Sequence, residues 1–212
     1  MSKYQFTESD IYLPDTDIPR NCLGIETLDL LHEVEGTLLQ QAYTRFITEL
    51  DSSIRFDEEY FKSLHRDTFE SLYEWAGLYR TVDMSKGESL FCRAAHLEQE
   101  ARRIFRELEQ EQYLKQAADW TTVKFAERLA HYQSELIALH PFYELNGRIT
   151  RLFFDLITVC NGYEPIDYSA ALAEESSGLN AYIEASILCV QRADSSKLQQ
   201  IILQGLQRAG AA

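Results

Sequence analysis

Apolar residues recur at helical spacing along most of this chain, and only nine glycines and four prolines interrupt them. The first 24 residues lack that spacing and contain Pro14 and Pro19, so we expect an irregular arm there. The spacing predicts helices over about residues 26–50, from near Asp57 onward, and over roughly 95–115, 120–139, 147–160, 169–190 and 195–208. The pattern therefore indicates an all-α protein, a helical bundle.

One segment, at about residues 80–92, departs from the helical pattern. Residues 81–84 alternate between polar and apolar, residues 85–88 have turn composition, and residues 89–92 fit a returning strand. A hairpin this short is marginal alone, so we expect it to lean on the helices. With 212 residues, the chain is expected to form one domain, residues 1–212, that carries this β-hairpin.

Composition narrows the functional classes. The net charge of −14 argues against binding nucleic acid through the overall field of the protein. Cys22, Cys92, Cys160 and Cys189 lie far apart without metal-ligand spacing, and we expect them to be buried thiols in a reducing compartment. The sequence shows neither a signal peptide nor a membrane-spanning stretch, so the expected location is cytoplasmic, without membrane partners.

The chemistry concentrates in residues 140–151, which read His-Pro-Phe-Tyr-Glu-Leu-Asn-Gly-Arg-Ile-Thr-Arg. His140 ends an apolar-periodic helix that Pro141 prevents from continuing, which places an imidazole at a helix-to-loop junction. Glu144 follows four residues later, and one carboxylate beside phosphates is a common way to hold Mg²⁺. The pair predicts a general base and a metal ligand that face one site.

The second half of the segment predicts an anion site. Asn146-Gly147 supplies a turn, and a helix is expected to start near Arg148 with its free N–H groups facing His140. Arg148 and Arg151 are three residues apart and therefore share one helix face. Each residue alone is more often structural, but their ordered combination indicates a site for two or more phosphates.

These residues resemble the signature of the Fic (filamentation induced by cAMP) family, His-x-Phe-x-Asp/Glu-Gly-Asn-Gly-Arg-x-x-Arg. The first glycine of the signature is replaced here by Leu145. The resemblance extends upstream through residues 64–66, 73–77, 80–82 and 85–91, and it covers roughly residues 10–205. It is strongest to the small bacterial cell-filamentation Fic proteins. The matching signature positions are His140, Phe142, Glu144, Asn146, Gly147, Arg148 and Arg151.

The resemblance implies a Fic fold with a β-hairpin flap and a protein adenylyltransferase activity that uses ATP and Mg²⁺. It implies that His140 deprotonates a Ser, Thr or Tyr hydroxyl of a target protein for attack on the α-phosphate, and that Glu144 holds Mg²⁺. The flap residues Ser85, Lys86, Gly87 and Phe91 would bind the target by main-chain strand addition.

The same resemblance assigns the nucleotide contacts. Asn146, Gly147 and Arg148 would cradle the phosphates, together with the backbone of Leu145, and Arg151 would engage the γ-phosphate. If position 145 needs a positive φ, a leucine costs about 1–2 kcal/mol there; if it takes ordinary dihedrals, only its side chain matters. The related Doc toxins resemble kinases and carry lysine at the next glycine, whereas this chain keeps Gly147.

Regulation and target are less defined by the sequence. Many Fic proteins carry an inhibitory glutamate within Ser/Thr-x-x-x-Glu-Gly/Asn; only Glu35-Gly36 comes near, with Leu31 at the hydroxyl position, and we favour a solvated Glu35. Inhibition would then come from a separate small antitoxin chain, and Glu35→Gly would leave activity unchanged. The target could be a type II topoisomerase subunit. The alternatives are a weakened or inactive interaction module and an enzyme that removes AMP.

Overall fold

The structure, a computed structural model, describes residues 4–6, 11–173 and 179–210. Eight α-helices follow one another along these residues, with three short 3₁₀ turns between α2 and α4. The helices are α1 (Leu28–Thr48), α2 (Glu58–Phe69), α3 (Leu97–Gln110), α4 (Thr122–Leu139), α5 (Asn146–Cys160), α6 (Ser169–Leu172), α7 (Ala181–Arg192) and α8 (Ser196–Gly205).

Helix α5 lies at the centre of the core because it is apolar on most of its sides. It packs against α1, α2 and α4, while α4 also packs against α3, α7 and α8. The apolar side chains of α5 that are fully buried are Ile149, Leu152, Phe153, Phe154, Leu156 and Ile157. Since the signature segment leads into α5, the candidate site is anchored directly to the hydrophobic core.

The predicted hairpin is confirmed, with shorter strands than expected. Strands β2 (Met84–Lys86) and β3 (Ser89–Leu90) pair antiparallel around a turn in which Gly87 has a φ of 58°. The hairpin leans on the helical bundle, because β3 packs against α7 and Gln191 Nε2 donates a hydrogen bond to Ser89 Oγ at 3.2 Å. The observed fold is therefore mostly helical with a short β-hairpin, as predicted.

A third strand was not expected from the sequence. Residues Tyr4–Phe6 form β1 and pair antiparallel with β2, which makes β2 the central strand in the order β1-β2-β3. The prediction of an irregular arm over residues 1–24 is wrong for these three residues, while residues 1–3 and 7–10 lie outside the described residues. Three residues are too few for a period-2 pattern to be recognised in the sequence.

Two further expectations change. The helix predicted over residues 169–190 is two helices, and α7 begins afresh where the Asn180 side chain accepts a hydrogen bond from the Ile183 N–H at 2.9 Å; residues 174–178 lie outside the described residues. The cysteines are free thiols, but only Cys189 is fully buried and Cys22 is exposed.

Among the described residues, none of the helices combines the length and hydrophobicity that a membrane span requires.

Candidate active site

His140 lies at the C-terminal end of α4, as predicted. Its φ of 46° and ψ of 59° are left-handed, which turns the chain out of the helix before Pro141, and its N–H still donates to the Leu136 carbonyl at 3.0 Å. The imidazole stacks on the Phe91 ring, with centroids 3.8 Å apart and an interplanar angle of 14°. Phe91, expected at the target-binding surface of the flap, is buried and packs against the imidazole of His140.

Arg80 links two segments: the loop that contains His140 and the residues at the base of the flap. Its guanidinium, only 2% exposed, donates to the carbonyls of His140 at 2.9 Å, of Val82 at 2.6 Å and of Cys92. Its backbone N–H donates to the Pro141 carbonyl at 2.8 Å. A buried guanidinium that satisfies several carbonyls of two segments holds those segments in one relative position.

His140 is uncharged at neutral pH in this arrangement. Burial, together with the positive charges of Arg80 and Lys86, lowers its pKa to about 3, although a backbone hydrogen bond at Ile137 acts in the opposite direction. A neutral imidazole can accept a proton, as a general base must. Phosphates bound nearby would raise this pKa toward neutrality because they favour the charged form.

Two buried side chains hold the loop between His140 and α5. The Asn146 amide accepts from the Phe142 N–H and donates to the Phe142 carbonyl, both at 2.8 Å. His65 accepts from the Gly77 N–H on Nδ1 at 3.0 Å, which leaves the proton on Nε2 to bond the Glu144 carbonyl at 3.2 Å. Burial lowers the pKa of His65 to about 4, so this ring is neutral and its tautomer is fixed.

Neither role was foreseen fully. The sequence indicated no role for His65, which lies in the core and orients the backbone of the signature loop. The Asn146 side chain, expected at the phosphates, is engaged with Phe142, so Asn146 offers its backbone N–H to a ligand. Phe142 points inward and stacks on Phe61, with centroids 5.4 Å apart, which anchors the loop.

Leu145 adopts a left-handed conformation, with φ 66° and ψ 9°. Of the two alternatives for this position, positive φ is therefore the observed one. Helix α5 starts directly after it, at Asn146 rather than near Arg148, and no side chain caps the helix. The Leu145 side chain belongs to the buried core cluster. The Arg148 N–H donates to the Leu145 carbonyl at 3.1 Å, so the N–H groups of Asn146 and Gly147 are the ones that a ligand or water can bind.

Two acidic side chains approach the start of α5. Glu144 accepts a hydrogen bond from the Tyr12 hydroxyl of the N-terminal arm. Burial raises the pKa of Glu144 to about 7, a direction that Tyr12 opposes and that the charge of Glu35 reinforces. Glu35 accepts from the Tyr73 hydroxyl at 2.6 Å and pairs with Arg148 Nη1 at 2.7 Å.

The solvated position predicted for Glu35 is wrong, because Glu35 is only 4% exposed. It belongs to the buried stripe of α1, together with Leu31, Ala42 and Phe46, at spacings of four, seven and four residues. That stripe is visible in the sequence and is the signal from which the burial of Glu35 could have been predicted. Its partner is Arg148, the first arginine of the signature.

Arg151, the second arginine, lies over the start of α5. Its Nη1 is 3.7 Å from the position that a Cβ on Gly147 would occupy, so a guanidinium borders the N–H groups at the helix start. Its charge centre lies 5.0 Å from the Tyr182 ring and 6.0 Å from the Tyr168 ring. The structure thus brings Gly147 and Arg151 together, with Arg148 one helical turn from Arg151.

The outer edge of the flap is already paired. Ser85 lies opposite Gln5 and Lys86 opposite Tyr4 in the β1-β2 ladder, and β3 occupies the other side of β2. A target strand that adds to β2 in the predicted way has to replace β1.

The residues present fit Mg²⁺ only together with a nucleotide. Within the described residues, no group of three or more His, Cys, Asp or Glu side chains could hold a metal ion alone. Mg²⁺ keeps several waters and binds through one or two carboxylates plus substrate phosphates. Glu144, the single carboxylate of the signature, can supply the carboxylate ligand, and a bound nucleotide would supply the phosphates.

The helical fold and the loop that leads from His140 into α5 define a class of protein. Comparison of the chain with known sequences identifies that class. The sequence profile of the Fic/DOC family matches residues 55–158. The "Probable protein adenylyltransferase Fic" of Escherichia coli strain K12 is 35% identical over 158 residues, which are 73% of this chain and 75% of that protein. The chain belongs to the Fic/DOC family.

Other relatives agree with this membership. Protein adenylyltransferase VbhT of Bartonella schoenbuchensis is 34% identical over 177 residues, 82% of this chain but 36% of VbhT. The crystal structure of BepC from Bartonella tribocorum with bound AMPPNP has a TM-score of 0.78 at 21% identity and covers 93% of this chain and 96% of that chain. This last similarity concerns the fold.

Proposed function

We propose that this protein is a protein adenylyltransferase that transfers AMP from ATP to a Ser, Thr or Tyr hydroxyl of a target protein. The observation that carries the proposal is a neutral, buried His140 at the end of α4, adjacent in the chain to an uncapped helix start that Arg151 borders. Relatives that are called protein adenylyltransferases and are about a third identical support the same activity.

The proposed reaction uses these groups in turn. His140 accepts the proton of the target hydroxyl, whose oxygen attacks the α-phosphorus of ATP. The bond from that phosphorus to the bridging oxygen breaks, and pyrophosphate leaves while AMP stays on the target. The N–H groups at the start of α5, with Arg148 and Arg151, stabilise the charge on the phosphates. Mg²⁺, held at Glu144, would neutralise phosphate charge when it is bound.

Arg148 has to change partners in this reaction. In the structure it is paired with Glu35, so bound phosphates compete with that carboxylate for the guanidinium. Glu35 therefore lowers nucleotide affinity in our proposal, an inhibitory contact made at the first arginine. A separate antitoxin chain remains part of the proposal as a second level of control, as does a toxin-like role with a topoisomerase subunit as target.

The experiment is a titration of ATP·Mg²⁺ against the protein by calorimetry, followed by mass spectrometry of proteins incubated with it. We expect binding by the wild type and by His140→Ala, with an AMP adduct formed only by the wild type. His32→Ala, which replaces an exposed histidine of α1, is the matched control and should behave as the wild type.

Three outcomes contradict the proposal in different ways. Absence of ATP binding to the wild type favours a non-catalytic interaction module. A phosphate adduct in place of an AMP adduct favours a kinase. Loss of AMP from an already modified target, without any transfer from ATP, favours the reverse activity.

A further inference from the structure

Arg151 sits in a corner made by two tyrosine rings. The Tyr168 and Tyr182 rings meet edge to face, with centroids 5.5 Å apart and an interplanar angle of 86°. The guanidinium carbon lies 5.0 Å from the Tyr182 centroid and 6.0 Å from the Tyr168 centroid. Both rings are buried, so they attract the cation in surroundings where a cation–π contact is strongest.

Gln133 of α4 fixes both rings at once. Its Oε1 accepts from the Tyr168 hydroxyl at 3.1 Å, and its Nε2 donates to the Tyr182 hydroxyl at 3.0 Å. The Gln133 side chain is fully buried, with 0% exposure, and both ends of its amide are used. A buried amide that bridges two hydroxyls sets the positions of the two rings relative to α4.

The corner holds Arg151 without cancelling its charge. Within the part of the chain that the structure describes, no carboxylate lies within 4.0 Å of Arg151, whereas Arg148 is paired with Glu35. The acid one turn further along α5, Asp155, accepts from the Tyr43 hydroxyl at 2.7 Å and from the Ile166 N–H at 3.0 Å. Burial lowers the pKa of Arg151, but the tyrosines outweigh it and hold the pKa above its ordinary value, so Arg151 stays charged.

The held cation points at the place where an anion would bind. Arg151 Nη1 lies 3.7 Å from the Cβ position of Gly147, beside the uncapped start of α5. A cation that is charged, unneutralised and already in place binds a phosphate without first losing a partner. Arg148, in contrast, has to leave Glu35.

We propose that Gln133 is a positioning residue, which acts through Tyr168 and Tyr182 to hold Arg151 in place for the terminal phosphate of ATP. This inference rests on the proposed function. It extends the phosphate site by a side chain outside the signature segment, Gln133 of α4, which contacts both tyrosine hydroxyls.

The test compares ATP with ADP, because ADP lacks the phosphate that Arg151 would contact. Calorimetric Kd values for both nucleotides are measured with Mg²⁺ for the wild type, Gln133→Leu, Tyr168→Phe and Arg151→Ala, with Gln40→Leu on the exposed face of α1 as control. We expect Arg151→Ala to remove the preference of the wild type for ATP. Gln133→Leu should weaken ATP binding roughly tenfold and ADP binding by less than about twofold, since a charged hydrogen bond is lost in one case only.

The outcomes separate the inference from the proposed function. If the wild type binds neither nucleotide, the proposed function fails. If Arg151→Ala removes the preference for ATP but Gln133→Leu keeps it, or weakens ATP and ADP equally, the positioning role is overturned and Gln133 is structural.

A second variant covers the case in which Gln133→Leu does not fold. Tyr168→Phe keeps the ring and removes the hydroxyl that donates to Gln133, so it tests the Gln133 contact without changing Tyr182, whose hydroxyl also interacts with Arg151. A selective loss of ATP affinity in Tyr168→Phe supports the proposal, and an unchanged ratio of ATP to ADP affinity overturns it.

Discussion

Leu145 gives the sharpest test of the site's backbone geometry. Alanine is ordinarily more stabilising than glycine in a helix, and the positive φ of Leu145 reverses that order. In a helix interior, alanine is more stable than glycine by about 1 kcal/mol. At a φ of 66°, an L-residue is strained by about 1–2 kcal/mol and glycine is not. We therefore predict that Leu145→Gly is more stable than Leu145→Ala by about 1 kcal/mol.

Both variants should be less stable than the wild type. Each removes a leucine side chain that belongs to the core cluster, a change that typically costs about 2–5 kcal/mol. Only Leu145→Gly regains part of the lost stability, because glycine relieves the backbone strain. The loss common to the two variants cancels when they are compared with each other, so the difference reports the backbone alone.

The assay is urea unfolding of the two variants, with equal m-values required before the free energies of unfolding are compared. Gly36 provides the matched control in the same chain, because it lies in α1 and an added Cβ would meet nothing within 4 Å. Gly36→Ala should raise the free energy of unfolding by about 1 kcal/mol. If Leu145→Ala proves as stable as Leu145→Gly or more so, the left-handed turn before α5 is refuted.

Three further predictions follow from buried groups and from the flap. Burial raises the pKa of Asp155 from its ordinary 3.8 to about 7, so the stability it contributes is full below about pH 4 and is lost as the pH rises through 7. Asp155→Asn should therefore gain thermal stability over the wild type at pH 8 but not at pH 4, by at most about 4 kcal/mol, and equal melting shifts at both pH values would contradict this. Glu35→Gln should bind ATP more tightly than the wild type in calorimetry, because it removes the carboxylate that competes for Arg148; unchanged or weaker binding would mean that Glu35 only orients the arginine. Removal of residues 1–6 should speed target modification in a mass-spectrometric time course and leave the Kd for ATP unchanged, because β1 occupies the flap edge; a slower reaction would show instead that β1 supports the flap.

Much of the fold was predictable because helices leave long periodic patterns. The bounds predicted for α1, α4 and α5 lie within about two residues of those observed, and His140 was correctly placed at a helix end. The hairpin was recognised because its turn residues interrupt that periodicity.

The unforeseen features depend on tertiary contacts. Arg80, His65 and Gln133 each make at least one hydrogen bond to a residue between 49 and 79 positions away, and no local pattern marks them. Glu35 is different, because its place in the buried stripe of α1 could have been read from the sequence. A charged residue on an apolar stripe was treated as a surface residue, and the partner that allows its burial, Arg148, becomes evident only in three dimensions.

Labelled ATP distinguishes transfer of AMP from transfer of phosphate in a single experiment. The wild type and His140→Ala are incubated with Mg²⁺, candidate target proteins and ATP labelled on either the α- or the γ-phosphorus, and label on protein is measured together with released pyrophosphate. We predict α-label on protein, γ-label only in pyrophosphate, and neither with His140→Ala. Transfer of the γ-label to protein by the wild type would contradict the account.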